Sequence, residues 1–142
     1  MTTPTEQTAL LEVLAAEHAA VYGYGVLGAR LDDRSRPAAL LADDAHRARR
    51  DSLIAALTAR GITPPAPPAS YDAVVSNAAQ ALALAVRLEV GVGQRWRDLV
   101  TRTDNKALRR LGVAGLTESA VRATEWRRRQ GVRLPSVALP GA

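Results

Sequence analysis

The stretch GITPPAPPASYDAVV, residues 61–75, decides how this chain of 142 residues can fold. It holds four prolines: Pro64, Pro65, Pro67 and Pro68. A proline-rich segment favours an extended polyproline conformation that rises about 3.1 Å per residue, so roughly 14 residues reach about 43 Å. The helix predicted before it, of about 24 residues at about 1.5 Å each, is about 36 Å long. The segment can therefore run along a whole helix and start the next one at the same end.

Helical periodicity recurs on both sides of this segment, which predicts a single all-α domain over the whole chain. Ser35 is a candidate N-cap of the second helix, Asp104 or Asn105 of the fourth, and Gly61 ends the second. The connections within the first and last helix pairs are short, so each pair is expected to be an antiparallel hairpin. The expected architecture is a four-helix bundle of two hairpins joined by a long Pro-rich crossover. Its helices are predicted at about residues 5–31, 36–60, 76–103 and 105–130, with an extended tail at 132–142.

Composition excludes several classes of site. The chain has no cysteine, which excludes disulfides, zinc–thiolate centres and thiol nucleophiles. No signal peptide is apparent, and no apolar run approaches the roughly 18 residues of a membrane span, so a cytoplasmic protein without membrane contact is expected. The net charge is +5, and all basic residues except Lys106 are arginine. This bias is typical of a GC-rich genome, and arginine also suits phosphate binding.

Each predicted helix carries one acidic residue within its apolar stripe: Glu17, Asp43, Glu89 and Glu118. All four lie near the middle of their helices and are expected to meet at similar height. Carboxylates buried together need metal ions, protons or cations among them. His46 follows Asp43 by three residues, the spacing at which both side chains can face one ion.

Three stretches carry a resemblance to a known family: EHAAVYGYG at 17–25, DAHRARRD at 44–51 and VALPG at 137–141. With the helix layout, they resemble the ferritin-like superfamily, and within it a ferritin-like family of unknown function from high-GC, actinobacterial-type bacteria. The resemblance covers nearly the whole chain. It implies a ferritin-like bundle. The di-metal members of that superfamily bind metal through a Glu on two helices and a Glu-x-x-His motif on the other two.

The chain matches this ligand pattern only in part. Glu17 and Glu89 fit single-Glu positions, and Asp43 with His46 fits a shortened Glu-x-x-His. Glu118 stands where the second such motif begins, but the residue three positions later is a valine. Two arginines, Arg50 and Arg122, also fall on the inward stripes and are candidate counter-charges.

Three interpretations of this cluster therefore stay open. It is a buried salt-bridge network without metal, a single-metal site at Glu17, Asp43 and His46, or a dinuclear iron or manganese site that also uses Glu89 and Glu118. The first interpretation is preferred, because a missing ligand and two added cations favour it together.

Two further motifs have structural explanations. Gly23, Gly25 and Gly28 form a literal Gly-x-Gly-x-x-Gly, but helical periodicity runs through it and no strand precedes it, so close packing is expected instead of a dinucleotide. A run of basic residues lies at the C-terminal end of the fourth helix, where positive charge interacts favourably with the helix dipole. The same run is a candidate phosphate contact. It consists of Arg127, Arg128, Arg129 and Arg133.

Three functions follow from these patterns. The preferred one is a non-catalytic ferritin-like module with a degenerate metal site, which acts in binding or scaffolding and forms a homodimer. The second is a metal-dependent (Fe or Mn) oxidase or iron-handling protein. The third is an RNA- or ribosome-associated basic protein. Catalysis, the protein partner and the substrate are left open.

Overall fold

The computed structural model of the protein describes residues 3–142. Within this range there are four α-helices and no β-strand. The helices are α1 (Pro4–Gly28), α2 (Arg36–Thr58), α3 (Ala78–Arg102) and α4 (Lys106–Arg129). The all-α prediction is confirmed, and every predicted helix end lies within three residues of the observed one.

A side-chain cap fixes the start of α4, whereas the start of α2 is held by a turn. Asn105 caps α4, since its side-chain oxygen accepts hydrogen bonds from the backbone N–H groups of Ala107 at 3.0 Å and Leu108 at 3.1 Å. Ser35 occupies the N-cap position of α2, but its side chain makes no capping bond. Its backbone N–H donates to the Asp32 carboxylate at 2.8 Å, so the turn before α2 is held by Asp32.

The order of contacts gives the direction of each helix. Glu17 of α1 contacts Trp96 of α3, and Tyr24, two turns further along α1, contacts Glu89, two turns earlier on α3. α1 is therefore antiparallel to α3, and the same reasoning makes it antiparallel to α2. Consequently α2 and α3 are parallel, and the crossover at residues 59–77 runs back along the bundle.

α3 and α4 are antiparallel too. Gly112 of α4 packs on Val100 of α3. Arg122, further along α4, contacts Glu89, which lies earlier on α3. This confirms the predicted pair of hairpins joined by a long crossover.

Glycines allow close approach at two helix contacts. A Cβ on Gly115 of α4 would lie 2.5 Å from the Trp96 indole, so the ring packs directly on the α4 backbone. A Cβ on Gly23 of α1 would lie 2.5 Å from Leu88 of α3. At Gly25 and Gly28 a Cβ would meet nothing within 4 Å. The expected packing role of this glycine motif therefore holds for Gly23 alone, and the motif lies inside a helix.

The core is divided by height into two apolar clusters. One packs around Leu10, Leu14, Leu53, Trp96 and Leu99, and the other packs around residues that include Tyr24, Leu27, Ala85 and Trp126. Between them lies a layer of buried polar side chains: Glu17, His46, Glu89 and Ser119, each at most 1% exposed. This layer is where the charged groups of the helices meet. No helix in residues 3–142 combines the length and hydrophobicity needed to cross a bilayer.

The tail at residues 132–142 contains no helix or strand and folds back onto α3 and α4. The Gly141 carbonyl accepts a hydrogen bond from Arg97 of α3 at 3.1 Å. Gly141 has a φ of +80°, and a Cβ there would lie 3.1 Å from the Gly93 carbonyl oxygen. Glycine thus lets the tail turn closely against α3.

Candidate functional site

His46 of α2 lies at the centre of the polar layer, between two carboxylates. Its Nδ1 lies 2.6 Å from Glu17 Oε2 of α1, and its Nε2 lies 2.9 Å from Glu89 Oε1 of α3. All three side chains are excluded from solvent. One imidazole ring therefore connects three helices.

Aromatic donors extend this network above and below the histidine. Trp96 Nε1 donates to Glu17 Oε1 at 2.8 Å. The Tyr24 hydroxyl donates to Glu89 Oε1 at 2.5 Å and accepts from Trp126 Nε1 at 2.7 Å. Together these bonds satisfy the polar atoms of three buried aromatic side chains, as buried tryptophan and tyrosine require.

Arg122 of α4 supplies a second positive charge. Its Nε donates to Glu89 Oε1 at 3.0 Å, and its side chain is 20% exposed. Glu89 Oε1 thus receives three donors, whereas Glu89 Oε2 is buried and has no hydrogen-bond partner among residues 3–142. With Arg122, the layer joins all four helices.

The network sets the protonation of its members. Burial opposes charge on His46, but its hydrogen bonds to Glu17 and Glu89 and their charges outweigh burial and raise the pKa of His46 to about 9. Burial also opposes charge on Glu89, but the hydrogen bond and charge of His46, followed by the charge of Arg122, lower the pKa of Glu89. Burial raises the pKa of Tyr24 well above its ordinary value. At neutral pH His46 is therefore a cation that donates from both ring nitrogens.

The structure brings Glu17, His46, Glu89 and Arg122 together, but the predicted positions of two acids were wrong. Asp43 is 21% exposed at its side chain and pairs with Arg47 on its own helix at 2.9 Å. It precedes the inward-facing His46 by three residues, about 60° round the helix, so it lies at the edge of α2.

Glu118 lies further from the predicted position. Its side chain is 41% exposed and forms an ion pair with Arg49 of α2. The residue that faces the core at this height is Ser119, so Glu118 lies about 100° away on the helix surface. The pair instead joins α2 and α4 across the outside of the layer.

The prediction that Arg50 is a counter-charge in the core was also wrong. Its guanidinium contacts the Asp51 carboxylate at 2.9 Å near the surface. Its charge also acts on His18, whose pKa is lowered first by burial and then by Arg50. Of the two predicted arginines, only Arg122 reaches the cluster.

The cluster does not fit a metal ion. A ligating histidine offers a neutral nitrogen lone pair to the ion, but both nitrogens of His46 point at carboxylates. The ring itself separates Glu17 from Glu89. Across residues 3–142, no three His, Asp or Glu side chains are grouped so that they could hold a metal. A metal centre would require His46 to leave its place between the two acids.

The aromatic donors of the network, Trp96 and Tyr24, were not predicted, although the spacing of residues on α1 and α3 indicates them. Glu17 and Tyr24 are seven residues apart on α1, and Glu89 and Trp96 are seven apart on α3. In an antiparallel pair, two such spacings place each acid opposite the aromatic donor of the other helix. This reciprocal spacing would have indicated that the acids accept bonds from aromatic side chains.

The basic run at the end of α4 makes contacts within the chain. Arg127 donates to the Pro135 carbonyl at 3.3 Å, and Arg128 pairs with Glu125 at 2.9 Å. Arg129 donates to the Arg34 carbonyl at 3.3 Å and lies 5.6 Å from the Trp126 ring centre. These contacts fasten the tail and the α1–α2 turn to α4. Arg133 is exposed in the tail, and phosphate binding by this run stays a prediction.

These features define a class of protein: an all-α four-helix bundle with a buried, histidine-centred charge network. The chain belongs to the DUF4439 family, described as a domain of unknown function, whose family model matches residues 9–142. It is similar to a conserved hypothetical protein from Mycobacterium tuberculosis, rv2844, of known crystal structure. The two are 39% identical with a TM-score of 0.87, over 91% of this chain and 99% of the mycobacterial one. No curated protein has significant similarity to the chain.

Proposed function

We propose that the protein is a non-catalytic, ferritin-like binding or scaffolding module in which a cationic histidine network takes the place of a metal centre. The observation that carries this proposal is the position of His46, with both ring nitrogens engaged by Glu17 and Glu89. The ferritin-like assignment is supported by the connectivity, in which one long crossover joins two antiparallel hairpins.

The charge balance of the layer supports the same proposal. Two acidic side chains, Glu17 and Glu89, face two basic ones, His46 and Arg122, within hydrogen-bond distance. A metal ion would add positive charge to a buried layer whose two acidic and two basic side chains already balance. The network therefore stabilises the packing of four helices without a bound ion.

The scaffolding part of the proposal is supported by apolar side chains on the surface. Leu40 and Leu41 of α2 are 63% and 72% exposed, and Val74 in the crossover is 86% exposed. A contiguous patch of exposed apolar side chains is typical of a surface that binds another protein, and the consecutive Leu40 and Leu41 are the first place to test for one. Sedimentation equilibrium tests a homodimer directly, and a dimer should be weakened by Leu41→Asp.

The metal question is tested on protein expressed with added iron and manganese. We expect less than one tenth of an equivalent of either metal, and no protein-dependent oxidation of ferrous iron in air. Glu17→Gln and a surface control on the same helix, Glu12→Gln, should behave alike in both assays. A stoichiometric metal, or ferrous oxidation that Glu17→Gln abolishes and Glu12→Gln does not, would favour the oxidase function instead.

A further inference from the structure

A cavity of about 180 Å³ lies between α3, α4 and the tail, next to the charge network. Its walls are mostly apolar and include Val90, Leu116, Leu139 and Pro140. Glu89 and Ser119 also line the cavity, so the cavity borders the polar layer and shares these two residues with it. The tail covers it and is held by the bond from Arg97 to the Gly141 carbonyl.

Two buried oxygens on residues that line this cavity lack hydrogen-bond partners among the described residues. They are Glu89 Oε2 and Ser119 Oγ, on side chains that are each 1% exposed. Because Glu89 Oε1 already receives bonds from Tyr24, His46 and Arg122, Oε2 is the oxygen left for a ligand. Buried polar atoms in folded proteins are normally paired, so two such atoms at one cavity indicate a missing partner.

We propose that this cavity binds a small neutral molecule that carries a hydroxyl group, of about the size of phenol. The hydroxyl donates to Glu89 Oε2 and accepts from Ser119 Oγ, while the apolar body packs against Leu116 and Pro140. The site shares Glu89 with the histidine network, but a bound ligand is a role that the proposed function does not include, so the inference goes beyond it.

The charges around the cavity favour a neutral ligand. Glu89 is already accompanied by His46 and Arg122, and Arg127 also lines the cavity. A cationic ligand would add a positive charge beside three others, and an anionic one would face the Glu89 carboxylate. A hydroxyl forms a short, charge-assisted bond to a carboxylate without adding charge.

The size of the cavity favours a single ring over water. A cavity of about 150 Å³ with apolar walls is known to hold benzene in another protein, and a ring with one hydroxyl needs little more space. Several waters would fit the volume, but each needs two to four polar partners, and the mostly apolar walls offer few.

The test uses three probes of similar size on the full chain: phenol, toluene and benzylamine. Binding is followed by the amide NMR signals of Gly93, Ser119 and Gly141, which border the cavity, and affinities come from titration. We expect phenol to bind at least tenfold more tightly than toluene, because loss of a hydroxyl leaves the carboxylate oxygen unpaired. Benzylamine should bind more weakly than phenol.

A conservative variant tests the second contact. Ser119→Ala should fold like the wild type, because the hydroxyl has no partner to lose, and should weaken phenol binding about fivefold. Ser52→Ala, the same change on the exposed face of α2, should leave phenol binding unchanged.

Several results would overturn the proposal. Equal binding of phenol and toluene would make the site a plain apolar cavity, and tighter binding of benzylamine would make it a cation site. Absence of any localised shift would leave water as the occupant. None of these results changes the metal content, so failure here is distinct from failure of the proposed function.

Discussion

Raising the pH from 6 to 9.5 should destabilise the bundle, because the folded protein holds a proton on His46 that the unfolded chain releases. The pKa of His46 is about 9 in the folded state, against an ordinary value of 6.5. Below pH 6.5 both states bind the proton, and the stabilisation is fully present. Between 6.5 and 9 only the folded state binds it, so stability falls as the pH rises.

The magnitude follows from the two pKa values. Each pH unit by which the folded pKa exceeds the unfolded one corresponds to about 1.4 kcal/mol, so a rise from 6.5 to about 9 gives about 3 kcal/mol. For a chain of this length a change of 1 kcal/mol moves Tm by about 3 °C, so Tm should fall by about 10 °C. The stabilisation from the His46 proton should be almost entirely lost at pH 9.5.

Urea unfolding followed by circular dichroism, at intervals from pH 6 to 9.5, measures this effect. His18→Gln should keep the whole decline, since the pKa of His18 is lowered and its contribution has the opposite sign. His46→Gln should abolish the decline between pH 6.5 and 9. At pH 6 the variant should also be less stable than the wild type, by about 3–5 kcal/mol, because two buried acids lose their shared cation. This difference should shrink toward pH 9.5, where the wild type has released the same proton.

A wild-type protein that is as stable at pH 9 as at pH 6 would refute this reasoning. So would a decline of the same size in His46→Gln, since another group would then be responsible. Stability that rises with pH would mean that His46 is neutral in the folded state, and the network would need another source of positive charge.

Further predictions concern packing and the surface pair. Gly115→Ala should lower the free energy of unfolding by about 1–3 kcal/mol, because the new methyl group meets the Trp96 ring at 2.5 Å. Gly25→Ala should raise it by up to about 1 kcal/mol through helix propensity, because a Cβ there meets nothing. Thermal unfolding of both variants measures the difference, and equal effects would contradict the packing described. Glu118→Gln should cost less than about 1 kcal/mol, because its pair with Arg49 is partly exposed. A loss of several kcal/mol on denaturant unfolding would place Glu118 in the core after all.

The candidate site was only partly predictable from the sequence. The inward positions of Glu17 and Glu89 followed from helical periodicity, because each sits well inside an apolar stripe. Asp43 and Glu118 sit at stripe edges, where an error of one residue turns a side chain by about 100°. Such an error separates a buried ligand from an exposed ion pair, and periodicity alone does not resolve it.

The sequence by itself determined the architecture of this protein. Helix ends are local features, and they are fixed by caps such as Asn105 and by the prolines of the crossover. The crossover is long enough to run back along a whole helix, so its length favoured one arrangement of the two hairpins. Only the tertiary structure decided the chemistry of the centre. Which donor meets which acid depends on the relative height and rotation of four helices, and that packing placed His46, instead of a metal ligand set, between Glu17 and Glu89.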